Sequence, residues 1–204
     1  MPHTSVTRQR VQKMKLVAVN GSPRKDGNTA AMLKDITALA EKKGIETKYF
    51  NLVDLHIADC KGCQNCKANQ TCAQKDDMTP VIAAMQEADF VLLGSPVYMG
   101  DETGLMKCMA DRLYCLLAPG NAPGEYKSRL APGKKVMLLM TCGMANGDKI
   151  YNYILTRYFK LLIKLLEFED YHSFIIGGVE PNMDVRKMFQ AKEAMKEADR
   201  YLTV

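Results

Sequence analysis

The sequence predicts an α/β protein built on a doubly wound, five-stranded parallel sheet with helices on both faces and a cysteine-rich loop insert. Three observations carry this. Five short segments with strand patterning recur along the chain. Each is followed by a helical pattern or by a loop leading to one. Several are apolar throughout, as strands buried on both faces must be. The 204 residues suffice for one domain with an extension, and 47% hydrophobic with 25% charged residues is ordinary globular usage, which excludes disordered, collagen-like and disulfide-dense chains.

Residues 15–20 (KLVAVN) form the first strand, which stops at Gly21, and 28–43 read as the first helix. Residues 46–51 (ETKYFN) alternate like a second strand, 89–94 (DFVLLG) and 134–140 (KKVMLLM) are nearly continuous apolar runs, and 171–176 (YHSFII) make the fifth. Helical patterns fall at 79–87, 104–117, 150–167 and 184–202, the last rich in Lys, Glu, Ala and Met. Right-handed crossovers leave few topologies, and five strands in this alternation imply the flavodoxin-like order 2-1-3-4-5. Ligands of such sheets lie beyond the carboxyl ends of the strands, where strand order reverses. The loops after strands one, three and four are therefore expected to hold function. Two inserts interrupt the rhythm: residues 52–77, with four cysteines, and 118–133, rich in Pro and Gly.

Residues 1–14 read as a basic extension carrying Arg8, Arg10 and Lys13, and 15–204 as a single domain. The extension has no apolar segment of a secretory signal, and no run approaches the ~20 apolar residues of a membrane helix, so the expectation is a cytoplasmic protein with no membrane partner. The net charge of +5 is spread among residues of both signs, without a Lys/Arg block and without Trp. That argues against a nucleic-acid partner and toward an anionic small molecule or an acidic protein.

After the first strand comes Asn20-Gly-Ser-Pro-Arg-Lys-Asp-Gly-Asn-Thr29, small and hydroxylic residues where a helix begins. A helix N-terminus offers unpaired N–H donors and partial positive charge, so a phosphate is stabilised there, with Ser22, Arg24 and Thr29 completing its hydrogen bonds. The plainer alternative is that Ser22 and Asn28 only cap the turn and the helix. Neither GxGxxG nor GxxxxGK[ST] is present, which disfavours a standard dinucleotide or P-loop site.

Cys60-Lys-Gly-Cys63-Gln-Asn-Cys66-Lys-Ala-Asn-Gln-Thr-Cys72 has the spacing C-x2-C-x2-C-x5-C. Three thiols from one tight loop and a fourth from a longer arm suit an iron–sulfur cube, Gly62 allows the sharp turn, and Lys61 and Lys67 would offset negative charge. A four-cysteine zinc site, a redox-active thiol pair and a loop of free thiols remain open alternatives on the residues alone. Seven cysteines in a chain read as cytosolic are not expected to form structural disulfides. Cys108, Cys115 and Cys142 read as apolar packing, the acids Asp76 and Asp77 as helix caps, and His56 and His172 have no partner motif.

The loop Ser22-x-Arg24-x-x-x-Asn28-Thr29 resembles the FMN-phosphate loop of the flavodoxin-like NAD(P)H-dependent FMN reductase superfamily. Gly94-Ser-Pro-Val-Tyr-Met-Gly100 and Lys107-x-x-x-Asp111-Arg112 resemble two further motifs of that superfamily in the same order. The resemblance implies FMN as cofactor, held by Ser22, Arg24, Asn28, Thr29 and Ala30 at its phosphate and by Pro96, Val97, Tyr98 and Met99 at its ring, with Thr141 and Gly143 as a third wall. The cysteine loop is similar to that of the iron–sulfur flavoproteins, a branch of the same superfamily. This implies a 4Fe-4S cluster on Cys60, Cys63, Cys66 and Cys72, and a redox enzyme with a ferredoxin-like or NAD(P)H electron donor and a small-molecule acceptor. It also implies a homodimer or homotetramer. A cluster-free NAD(P)H-dependent FMN or quinone reductase is the alternative.

Overall fold

The computed structural model describes residues 13–203. Most of the basic extension read at 1–14 therefore lies outside the described residues. The central sheet is all parallel, in the spatial order β2-β1-β3-β6-β7, from β1 (Lys15–Asn20), β2 (Glu46–Asn51), β3 (Phe90–Pro96), β6 (Lys135–Thr141) and β7 (Asp170–Ile176). Numbered by their place in the sheet alone, these strands run 2-1-3-4-5, the expected flavodoxin-like order. Two short strands, β4 (Leu117–Pro119) and β5 (Tyr126–Ser128), form a separate antiparallel pair within the Pro/Gly-rich insert.

Alternation along the strands makes two cores. Val17, Val19, Val91, Leu93, Val136 and Leu138 face one side, with α3 (Met78–Glu87), α4 (Gly104–Arg112) and α6 (Asn152–Phe159) packed over them. Leu16, Ala18, Phe90, Leu92, Met137 and Leu139 face the other, covered by α1 (Asn28–Lys42) and α7 (Phe189–Tyr201). Because successive strand side chains point to opposite faces, strands apolar throughout are what a sheet covered on both sides requires. Among the described residues no helix is long and apolar enough to cross a membrane.

Three helices differ from the sequence expectation. The pattern over 104–117 stops at Arg112, tightens to a 3₁₀ turn over Leu113–Leu116, and then extends because Leu117 begins β4 and the Leu116 carbonyl accepts from Arg129 N. The pattern over 150–167 splits at Tyr151, whose backbone leaves the helical region. It gives α5 (Gly147–Ile150) and α6, and a wider π-helical segment, Lys160–Leu165, follows. The pattern over 184–202 opens with a 3₁₀ turn capped by Asp184, and Met188 is extended, so α7 starts at Phe189. The insert at 52–77 contains a short α2 (Asn65–Asn69).

Candidate functional site

At the carboxyl end of β1, Gly21 N donates to the Gly94 carbonyl at 2.7 Å, joining the loops after β1 and β3. The close approach needs a glycine: a Cβ on Gly21 would stand 2.9 Å from Met106 Cβ. Asn20, fully buried, accepts from Ser22 N and donates to Asn51, which fixes the loop's exit. Ser22 Oγ accepts from Arg24 N at 3.1 Å, leaving its own O–H free to donate. Gly27 occupies the N-cap of α1, and among the described residues no side chain caps that helix and no acid stands in its first turn. The capping alternative therefore fails for the helix: its first amides keep their donors for an anion. Asn28 instead donates to the Glu180 carbonyl at 2.9 Å, tying the phosphate-type loop to the segment after β7.

These groups open on a solvent-accessible cavity enclosing about 460 Å³, the open mouth included. Ser22, Arg24, Asn28 and Thr29 line its floor, Pro96, Val97 and Tyr98 one wall, and Thr141 and Gly143 another. Thr29 and Thr141 share a 2.7 Å hydrogen bond, so one hydroxyl hydrogen of the pair remains for a ligand. Val97 N donates to the Thr141 carbonyl, and Tyr98 N and Asp101 N exchange bonds with the Asp101 and Tyr98 carbonyls, forming a tight turn. Tyr98 is substantially exposed and presents its ring at the cavity rather than in the core. Two expected contacts lie elsewhere. Ala30 is buried in the first turn of α1, and Met99, with a left-handed φ of 46°, stands in solvent. Neither lines the cavity.

The cavity also has a wall that sequence reasoning missed. Val179, Glu180 and Pro181 follow the fifth strand of the sheet and line it, brought in because Cys142 N donates to the Ile176 carbonyl and Val179 N to the Cys142 carbonyl. No motif marks this segment; only the parallel pairing of β6 with β7 places it there. Cys142 lines the cavity too, its thiol pushed up by burial. An anion-ready helix end, two free hydroxyl hydrogens, an exposed cation and an aromatic rim fit a phosphate-bearing flat ring such as FMN.

The second site lies at the other end of α4. Cys60, Cys63, Cys66 and Cys72 line one cavity of about 340 Å³, with Lys61, Gln64, Arg112, Tyr114 and Cys115. Left-handed backbone at Gly62 (φ 61°) and Gln64 (φ 59°) turns the chain between successive cysteines, and the non-glycine Gln64 takes this shape at a cost of about 1 kcal/mol. Among the described residues no three His, Cys, Asp or Glu side chains stand together as a metal-binding group. The donor set nonetheless fits an iron–sulfur cube: four thiols around one cavity, and a buried guanidinium beside them whose Nε has no partner.

The charges around the thiols differ from the expectation. Lys67 turns away, donating to the Tyr114 and Leu117 carbonyls at 2.6 and 2.7 Å with its ammonium 3.4 Å from the centre of the Tyr114 ring, and burial lowers its pKa. Arg129 reaches the Cys66 carbonyl instead. Asp77, at the N-cap of α3, makes no side-chain cap bond, and capping is only part of what Asp76 does. Asp76 makes a bidentate pair with Arg112 at 2.6 and 2.9 Å, which holds its carboxyl down to about 2, and it accepts from Ala58 N and Met78 N as well. Asp77 accepts from His56 N. Cys115, read as simple packing, is buried among these thiols, and burial followed by the charges of Cys72 and Cys66 pushes it up to about 11.

Sheet order, crossover loops and a ligand cavity at the point of strand reversal define a flavodoxin-like α/β protein. A family model described as NADPH-dependent FMN reductase matches residues 14–169, and the chain belongs to that family. It is 38% identical over 138 residues to an iron-sulfur flavoprotein of Archaeoglobus fulgidus, a stretch covering 68% of this chain and 64% of that protein. An iron-sulfur flavoprotein of Methanocaldococcus jannaschii is 39% identical over 137 residues, 67% of this chain and 65% of its own length. The matched stretches thus span less than two thirds of these curated relatives. Among solved structures, an FMN-dependent NADH-azoreductase from Bacillus anthracis in complex with FMN superposes with a TM-score of 0.69 at 15% identity, over 93% of this chain and 100% of that one. At that identity the likeness is one of fold.

Proposed function

We propose that this protein is an FMN-dependent oxidoreductase that also carries a 4Fe-4S cluster. It takes electrons from a one-electron carrier such as ferredoxin, or from NAD(P)H, and delivers them to a small-molecule acceptor. Ser22, Arg24, Asn28, Thr29 and the first amides of α1 hold the FMN phosphate. Pro96, Val97, Tyr98, Thr141 and Gly143 flank its ring, and Cys60, Cys63, Cys66 and Cys72 ligate the cluster. When bound, the flavin exchanges electron pairs for single electrons and the cluster stores one electron at a time. The protein's own residues bind, orient and shield. The free amides and Arg24 neutralise a dianion, and the backbone bonds between Val97 and Thr141 and within the 98–101 turn stiffen the wall. Family membership and the relatives' names support the flavin and the cluster respectively.

The observation that carries the reading is the α4 helix. It begins beside the phosphate-type loop and ends at Arg112 in the thiol cavity, and nine residues at 1.5 Å each separate its ends by about 13 Å. The test is anaerobic reduction of the loaded protein by reduced ferredoxin and, separately, by NADPH, followed by flavin absorbance. Ferredoxin should reduce the flavin in the cluster-loaded protein and not in Cys63→Ala. The second reading, a cluster-free NAD(P)H-dependent reductase, rests on the family description. Fast NADPH reduction indifferent to Cys63→Ala would favour it. A homodimer or homotetramer belongs to the same proposal, by analogy with the family.

A further inference from the structure

We propose that Arg112 is a positioning residue for the cluster, clasping the thiol loop onto α4 and donating a hydrogen bond to Cys72 that raises the cluster's reduction potential. This rests on the cluster reading above. The Arg112 side chain is only 1% exposed. One terminal nitrogen donates to the Ala58 carbonyl at 2.7 Å and to Asp76 Oδ2 at 2.6 Å, and the other to Asp76 Oδ1 at 2.9 Å and to Cys72 Sγ at 3.4 Å. Ala58 precedes Cys60, and Asp76 follows Cys72. One guanidinium therefore ties both ends of the loop that carries all four thiols. Asp76 repeats the tie by accepting from Ala58 N at 3.1 Å and Met78 N at 3.2 Å.

A buried ion pair contributes little net stability against an apolar replacement, so fold stability alone does not explain placing this one against a thiol. The planar fork does: five donors in fixed geometry reach a carboxylate, a carbonyl and a sulfur together, which an ammonium cannot. Arg112 Nε is buried with no partner among the described residues, and Arg112 lines the thiol cavity, so one donor remains for an anionic group there. Asp76 largely cancels the charge of Arg112, leaving the directional N–H···S bond as the effect at the sulfur. Such a bond strengthens as the sulfur gains electron density, so it favours the reduced cluster; hydrogen bonds to sulfurs are among the determinants of cluster potential.

The experiment compares wild type, Arg112→Lys, Arg112→Gln and Asp76→Asn, each prepared anaerobically and reconstituted with iron and sulfide. Iron, acid-labile sulfide and FMN are measured per chain, and the cluster's midpoint is found by titration followed by electron paramagnetic resonance. Expected is unchanged FMN content, with the cluster either lost or titrating lower. At a fixed potential the oxidised-to-reduced ratio should rise about tenfold in Arg112→Lys, equal to 59 mV for one electron. Asp76→Asn leaves the Cys72 bond in place and should lose cluster occupancy more than it shifts the midpoint. Arg112→Lys and Arg112→Gln loading fully and titrating at the wild-type midpoint would overturn the inference. Wild type without iron and sulfide would instead overturn the cluster reading on which it rests.

Discussion

Thr103 donates its hydroxyl hydrogen to the Gly21 carbonyl at 2.7 Å, so the helix that ends at Arg112 begins on the phosphate-type loop. Thr103 also accepts from Met106 N, capping α4, and its own amide donates to Ser95 Oγ. One threonine thereby fixes the helix origin against two of the loops that line the flavin cavity. The two proposed redox centres consequently sit at opposite ends of one helix.

Arg24→Ala should raise the FMN dissociation constant about tenfold to a hundredfold, since a charge-assisted hydrogen bond contributes roughly 1.5–3 kcal/mol. Quenching of flavin fluorescence on binding measures it. An unchanged constant would place the phosphate elsewhere.

Gly177→Ala should destabilise the fold by about 1–3 kcal/mol and weaken FMN binding together. Its Cβ would lie 2.6 Å from the Met144 carbonyl oxygen and 2.7 Å from that of Ala145, both backbone atoms of the loop after β6. Relief of that overlap moves the cavity wall carrying Cys142 and Gly143. Thermal unfolding with and without FMN reports both effects, and a wild-type melting temperature would contradict the packing described.

Stability should fall as pH rises from about 4.5 to 7, with Glu102 contributing. Arg157 bridges Asp101 and Glu102; the more exposed Asp101 stays ionised well below its usual range, while burial, seconded by Asp101, raises Glu102 to about 7. The unfolded chain releases this proton near 4.5 and the folded one near 7, so folding holds the extra proton between those values and loses stability as pH climbs through them. Glu102→Gln should flatten that slope, by on the order of 2 kcal/mol across the window. Denaturant unfolding of both proteins at pH 5 and pH 8 decides it; parallel pH profiles would contradict the assignment.

Cys63→Ala should abolish iron binding and leave FMN binding within a factor of about two, because the thiol cavity and the flavin cavity share no lining residue. Iron content and flavin titration on the same preparation test this. Full iron retention would remove Cys63 from the ligand set.

Sheet order, strand positions and most residues lining the cavity proposed for the flavin were legible in the sequence because each depends on a local signal. Apolar runs buried on both faces read as strands, and the Ser22 to Thr29 loop and the Ser95 to Tyr98 turn carry their chemistry in consecutive residues. What was not legible depends on contacts distant in sequence. Arg112 looked like part of a helix motif, yet its partner Asp76 lies 36 residues away. Glu180 carries no signature and enters the cavity rim only because β7 pairs with β6. The end of α4 at Arg112 follows from β5 competing for the backbone of residues 116–119, which helix periodicity does not encode.

The central claim is that flavin and an iron–sulfur cluster reside on one chain, and it is tested most directly by composition. Protein purified and kept without oxygen should contain one FMN, four irons and four acid-labile sulfides per chain, with the broad absorption of a cluster beneath the flavin bands. One FMN with neither iron nor sulfide, from the same oxygen-free preparation, would contradict it.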